Sequence, residues 1–419
     1  MPGTPHSPDG TPPPVGSPIE ALEEPLGLRW IMGVGGLFAI LPGIALVSAA
    51  ALPLAVFLAG GIALRPKLLA RSLQRPPFAA VIFILFVGWA LLSSVWTINA
   101  DHNGALRLAG GITGGILLIV AANRDDLSRK FVHSASVAAL LVGTVALILE
   151  LHWDMPLNRA AAPGETLVEI ARGPMRGTTI LTVLIWSALA MALRIRHPAG
   201  AITFALLIVS SAYLVAISPM DASFLVFALA LVAGLLAAIL RGRAIVLVFA
   251  VLAAWLCLAP TLSPILFSPD QANALPLSWA HRIQIWFNAS ELISQQPLIG
   301  RGLDSSSAIR DEMVFRGRVL PSISQHPHSA SLQIWLECGA VGAILGAATL
   351  LAAGGGLARA FGESRVASAA IAATAVAIGA YANLSFSVWQ DWWMATAFVA
   401  TAMIASLYRP AAIASAKSP

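Results

Sequence analysis

Apolar stretches such as Phe78 to Trp96 and Phe224 to Leu240 recur along this 419-residue chain, each about as long as a bilayer is thick. A hydrocarbon core of about 30 Å needs about 20 apolar residues per helix, somewhat fewer where neighbours shorten the path. Inside lipid every backbone N–H and C=O must be satisfied internally, which restricts crossing segments to helices or closed barrels. Continuous apolar runs select helices. With 58% hydrophobic and 11% charged residues and a mean hydropathy of +0.81, no water-soluble domain of this size is compatible with the chain. The expected fold is an all-α polytopic membrane protein.

The same ruler gives about twelve spans. They centre on Trp30 to Val47, Ser48 to Leu64, Phe78 to Trp96, Leu106 to Ala122, Phe131 to Leu149 and Gly177 to Leu193. The others centre on Ala201 to Ile217, Phe224 to Leu240, Ala244 to Pro264, Ser329 to Ala353, Ala369 to Val388 and Trp392 to Leu407. Residues 1–26, rich in Pro, Gly and Ser, read as a disordered cytoplasmic tail. Being Pro-rich and acidic, this segment lacks the form of a cleavable leader. Residues 27–266 then hold the first nine helices with an outer segment at 152–176. Residues 267–328 form a large outer loop with an interfacial helix, residues 329–408 hold helices ten to twelve, and 409–419 form a second cytoplasmic tail.

Lys and Arg accumulate in cytoplasmic loops. Arg65, Lys67, Arg71 and Arg75 share one loop, Arg124, Arg129 and Lys130 another, and the Arg194, Arg241 and Arg359 loops alternate with nearly uncharged ones near Asp101, Met220 and Asp391. That pattern puts both termini in the cytoplasm. It also accounts for the net charge of +5 without nucleic acid, because the basic residues are dispersed rather than clustered with aromatics. The two cysteines, Cys257 and Cys338, lie within apolar runs and indicate neither a disulfide nor a thiolate metal site. Two outer segments, 152–176 and 267–328, break the charge rule by carrying most of the remaining arginines. Anion binding is the simplest cause.

His328 directly precedes the apolar run of the tenth span, which places an imidazole at a helix mouth near the membrane surface. The order His328, Ser329, nine residues, Gly339, two residues, Gly342 resembles the signature of the bacterial O-antigen ligase and O-antigen polymerase family, inner-membrane transferases of lipid-linked glycans. The stretch WAHRIQIW followed by QQPLIGRGL resembles that family's outer loop, where an Arg precedes a Pro-x-x-Gly-x-Gly turn. This carries the Arg role onto Arg282. The family also has an Arg at the outer end of the sixth span, often after Asn; Arg176 holds the place but follows Met175, which leaves Arg172 and Arg159 open beside it.

The resemblance implies an undecaprenyl-pyrophosphate-linked glycan as donor, a lipid A-core sugar as acceptor and membrane lipids as surroundings, with the site facing the periplasm. Arg grips phosphate oxygens with a planar, permanently charged fork, and two such forks, Arg176 and Arg282, can replace a divalent metal. No carboxylate cluster suggests a metal site in the outer segments, and no cofactor is expected. The attacking hydroxyl must lose a proton, which His328 can accept as general base; direct displacement inverts the anomeric centre. Glu337, Arg301, His326, Arg172 and Arg159 are supporting candidates. Glu337 lies within the tenth span, where an unpaired carboxylate costs a few kcal/mol, and is expected to orient loop groups. Gly339, Gly342 and Gly346 share one side of that helix and are expected to permit close packing. Ser278 is the expected cap of an amphipathic helix to Ser294 whose Trp279 and Trp286 suit a membrane interface.

The leading expectation is therefore an O-antigen ligase. The same family also holds O-antigen and exopolysaccharide polymerases and protein O-oligosaccharyltransferases, which are the alternative, although the Arg-to-Gly spacing typical of the polymerases is missing here. A secondary transporter, which would place binding groups on broken helices at mid-membrane, is the other class considered.

Overall fold

The computed structural model describes residues 27–101, 103–122, 127–195, 198–267, 272 and 274–407. The expected tails at 1–26 and 409–419, and Arg124 and Arg196 of the basic loops, lie outside the described residues. The protein is an all-α polytopic membrane protein. Among the described residues ten helices are long and apolar enough to cross a bilayer. In chain order the helices are α1 (Leu28–Val47), α2 (Ala49–Ala63), α3 (Pro66–Gln74), α4 (Phe78–Trp96) and α5 (Asn103–Ala122). Next come α6 (Leu127–His152), α7 (Pro156–Ala161), α8 (Leu167–Ala192), α9 (Pro198–Ile217), α10 (Asp221–Leu240) and α11 (Gly242–Leu266). The rest are α12 (Leu277–Gln295), α13 (Ala330–Phe361), α14 (Arg365–Leu384) and α15 (Asp391–Ser406). All twelve expected runs are helical, but α2 is a shorter apolar helix and α15 has only 16 residues, so length alone does not make either a full crossing.

The centre of the bundle is α8, whose stretch from Gly177 to Ala192 is buried on every side. Such all-round burial suits a helix walled off from lipid by others. The inner wall of its neighbours α1, α6, α14 and α15 supplies Leu41, Leu140, Tyr381 and Met403 to the same core. Segments expected on one side of the membrane do meet. At one end Thr97 Oγ1 donates to the Leu303 carbonyl at 2.7 Å and Arg107 pairs with Asp391 at 2.8 Å. At the other, Gly242 N donates to Gly362 O at 3.2 Å and Arg194 Nη2 to Leu407 O at 2.9 Å.

Three expectations need correction. The first concerns α8, which begins at Leu167, capped by Thr166 and carrying Glu169 in its first turn, ten residues before the apolar run. A helix continues past the hydrocarbon as long as its cap and backbone bonds are satisfied, so Arg172 and Arg176 sit within a helix rather than in a loop before one. The second concerns α12, which starts at Leu277 after Pro276 with no side-chain cap, so Ser278 does not cap it. Its Trp286 is only 6% exposed and donates to the Pro327 carbonyl at 3.0 Å. That tryptophan is a core residue facing Leu332 and Leu336 of α13, not an interface anchor.

The third is Gly339. It stands at φ 64°, and α13 is broken there into two helical pieces. The turn Pro297 to Gly302 fills the break. Arg301 N and Gly302 N donate to the carbonyls of Leu336 and Glu337 at 2.8 Å each, while Ala340 N and Val341 N donate to those of Pro297 and Leu298 at 2.8 and 3.3 Å. Four backbone groups freed by the break are thereby satisfied, as low-dielectric surroundings demand. A Cβ on Gly339 would fall 2.3 Å from Leu298 O, and one on Gly300 2.5 Å from the Glu337 carbonyl carbon. These glycines therefore serve a backbone-on-backbone contact. The packing role holds for Gly346, whose added Cβ would meet Leu256 of α11 at 2.9 Å.

Candidate functional site

Between α12 and α13 the chain makes a short hairpin, β1 (Glu312–Phe315) with β2 (Arg318–Pro321), antiparallel and pairing Val314 with Val319. It is anchored over α12: Asn288 Nδ2 donates to Ser322 O at 3.0 Å and Arg316 Nη2 to Ala272 O at 2.9 Å. From the hairpin the chain turns through His326, Pro327 and His328 into α13, whose first turn is capped by Ser329. His328 adopts the left-handed region, φ 55°, uncommon for a residue with a side chain. The turn is tied down on two sides, by Trp286 on Pro327 and by the end of α14.

That second tie carries chemistry. The Nδ1 of His328 lies 2.9 Å from the carbonyl oxygen of Ser385. A carbonyl only accepts, so the neutral ring carries its proton on Nδ1 and leaves Nε2 as the basic nitrogen. Two residues upstream, Asn383 Oδ1 accepts from Ser329 Oγ and Ser331 N at 3.2 Å each and from Trp255 Nε1 at 3.3 Å. The last turn of α14 thus holds the first turn of α13. Burial pushes the His328 pKa down to about 4, against the opposing Ser385 hydrogen bond, and the charges of Arg282 and His281 push the same way. Burial, with His328 and Arg282, takes His326 to about 3. Both rings are neutral at physiological pH. Arg282, stacked over Trp279 at 5.3 Å, is itself half-buried, and that burial lowers its pKa while Asp221 opposes the shift.

The structure therefore brings Arg282, His326 and His328 together. Arg176 is elsewhere on the same wall. Its guanidinium sits 5.9 Å over the Trp392 ring, Trp392 packs edge-on against Phe386 at 4.8 Å, and Phe386 follows Ser385. Arg176 also lines a cavity of about 450 Å³ with Arg172, Glu169, Asn158 and Ser48. Arg172 is ion-paired with Glu169, and Arg159 with Asp154 at 2.6 Å.

Glu337 and Arg301 belong to the helix break. Glu337, 0% exposed, accepts from Asp304 N at 2.7 Å, Gln333 Nε2 at 3.0 Å, Ser306 Oγ and Trp389 Nε1. It binds the loop after Gly302, α13 and the segment before α15 to one carboxylate. Arg301 donates from Nη2 to Gln295 Oε1 at 2.8 Å. The turn 297–302 occupies the break in α13 and bonds four of the backbone groups it frees.

Below the His328 turn lies an apolar cavity of about 450 Å³. It runs from Ala330, Ser331 and Asn383 past Phe86, Leu256 and Trp389 to Leu357 and Ile404. Sequence reasoning missed this cavity, Asn383 and Ser385. Asn383 is a lone amide in an apolar run, a signal that could have marked it; Ser385 acts through its backbone and leaves no side-chain signal.

Residues 204–347 match the family model described as O-antigen ligase. A protein from Rickettsia bellii (strain RML369-C) named as a polysaccharide ligase is 26% identical over 339 residues, covering 78% of this chain and 80% of that one. A second such protein, from Rickettsia felis (strain ATCC VR-1525 / URRWXCal2), is 27% identical over 342 residues, with the same coverage. A third, from Rickettsia conorii (strain ATCC VR-613 / Malish 7), is 24% identical over 336 residues, again covering 78% and 80%.

Proposed function

We propose, for a chain that belongs to the O-antigen ligase family, that it is a metal-independent inverting glycosyltransferase of the inner membrane. It moves a glycan from undecaprenyl pyrophosphate to a lipid A-core sugar hydroxyl at the periplasmic face. The acceptor oxygen attacks the anomeric carbon, forming the glycosidic bond as the bond to the phosphate oxygen breaks. Its proton goes to His328 Nε2, and undecaprenyl pyrophosphate leaves with the electron pair. Arg282 and Arg176 hold the diphosphate.

The observation that carries this reading is the Nδ1 contact of His328 with Ser385 O next to Arg282, whose charge acts on both histidines. A tautomer-fixed neutral imidazole beside a guanidinium pairs a base with an anion site. The apolar cavity beneath it suits an isoprenoid chain, since its lining presents mostly carbon to its occupant. The relatives' names favour ligation over polymerisation.

Purified protein, given an undecaprenyl-pyrophosphate-linked glycan and lipid A-core, should form the conjugate, including in excess EDTA. Products made of joined donor repeats without core would mean a polymerase. Activity that disappears with chelator and returns with Mg²⁺ or Mn²⁺ would defeat the two-arginine mechanism.

A further inference from the structure

His326 and His328 hold their protons on opposite nitrogens. The backbone N–H of His328 lies 3.1 Å from His326 Nδ1. A backbone N–H can only donate, so in the neutral His326 ring Nδ1 is the acceptor and the proton sits on Nε2. His328 is the reverse, with its proton on Nδ1 facing the Ser385 carbonyl. The ring centroids are 4.4 Å apart. Neither Nε2 has a hydrogen-bond partner among the described residues. One ring thus offers a lone pair and its neighbour an N–H.

We propose that His326 is a further substrate-binding residue, donating its Nε2–H to a diphosphate oxygen of the donor lipid next to Arg282. This rests on the reading of the site above. His326 cannot be the base in this arrangement, because Nδ1 is occupied by the His328 N–H and Nε2 already bears a proton. In the unliganded protein it is not a second cation either. Burial, His328 and Arg282 all disfavour its charged form, so its contribution is a neutral donor to an anionic acceptor, a charge-assisted bond.

The competing role is a brace for the turn, and two carboxamides separate them. The amide nitrogen of Gln reaches about as far as Nε2, whereas the amide oxygen of Asn reaches about as far as Nδ1. Steady-state transfer by the full-length purified chain, with an undecaprenyl-pyrophosphate glycan as donor, is measured for His326→Gln, His326→Asn and His326→Ala. Affinity for undecaprenyl pyrophosphate itself is measured alongside. His326→Asn and His326→Ala should lose about 10- to 100-fold in kcat/KM with weaker binding of undecaprenyl pyrophosphate, and His326→Gln should recover most of it. The reverse order, with Asn active and Gln inactive, would establish the brace and overturn the proposal, as would equal activity in all variants.

A measurement on the unmodified protein stands beside these. With isotope-labelled histidine nitrogens, NMR should find the His326 proton on Nε2, and the Nδ1–H form would also overturn the proposal. Failure of the underlying site reading shows elsewhere: an Arg282→Ala protein that binds undecaprenyl pyrophosphate as tightly as wild type removes Arg282 from the diphosphate, while the Gln and Asn contrast remains readable.

Discussion

The ring Nδ1 of His328 and the backbone oxygen of Ser385 lie 2.9 Å apart, although 57 residues separate them in the chain. This contact joins the start of α13 to the end of α14 and decides which nitrogen of the imidazole is free. A backbone carbonyl cannot be exchanged by mutation of its own side chain, so the orienting group is unusually robust to substitution.

The first prediction concerns that imidazole. A positioned general base contributes about 10² to 10⁴ in rate, so His328→Ala should lose transfer by at least about a hundredfold while still inserting, purifying and binding undecaprenyl pyrophosphate. A transfer assay on detergent-purified protein checks this, and near wild-type turnover would remove His328 from the mechanism.

A second prediction follows from the protonation state. A histidine whose pKa is lowered to about 4 is neutral and basic above that pH, and activity is lost as pH falls through it. The acid limb of kcat/KM, which reports the free enzyme, should therefore lie near pH 4 rather than near 6.5. The bound diphosphate brings negative charge and raises the imidazole pKa, so the limb in kcat should lie higher. Its own phosphates, esterified at both ends, remain ionised across this range. A kcat/KM limb at the ordinary histidine value would mean that the ring is solvated in the working enzyme.

Third, Arg282→Lys keeps the charge but loses the planar fork. One charge-assisted hydrogen bond contributes about 1.5 to 3 kcal/mol, so affinity for undecaprenyl pyrophosphate should fall about tenfold or more, with less change in thermal stability. Arg176→Lys should weaken binding in the same assay. Full retention of affinity in both would separate these arginines from the diphosphate.

Fourth, Gly339→Ala should destabilise the protein. The position has φ 64° and an added Cβ would lie 2.3 Å from Leu298 O, a backbone atom that cannot move aside. The backbone conformation alone, φ 64° with ψ −165°, is essentially confined to glycine and costs about 1 to 3 kcal/mol for a residue with a side chain, and the clash adds to it. Gly346→Ala crowds the end of the Leu256 side chain, with Phe86 at an ordinary contact distance of 3.6 Å, and should lose less. Thermal unfolding in detergent compares the two; equal melting temperatures would show that the turn 297–302 is not seated in the helix break.

What the sequence determined by itself was what depends on local chemistry. Apolar length set the helices because lipid cannot satisfy a bare backbone. The candidates His326, His328 and Glu337 were visible because polar groups stand out beside such runs, whereas Arg282 was picked out by the family resemblance of its loop. The helix start at Leu167, the burial of Trp286 and the break at Gly339 were not visible, since each depends on partners distant in the chain. Gly339 is the clearest case. In sequence it reads as one of three packing glycines, and only the arrival of Pro297 to Gly302 turns it into a break with four freed backbone groups bonded. The tautomers of His326 and His328 were decided in the same way, by one carbonyl from α14 and one backbone N–H. A hydrogen bond needs its donor and acceptor within about 3 Å, and only the folded chain sets that distance.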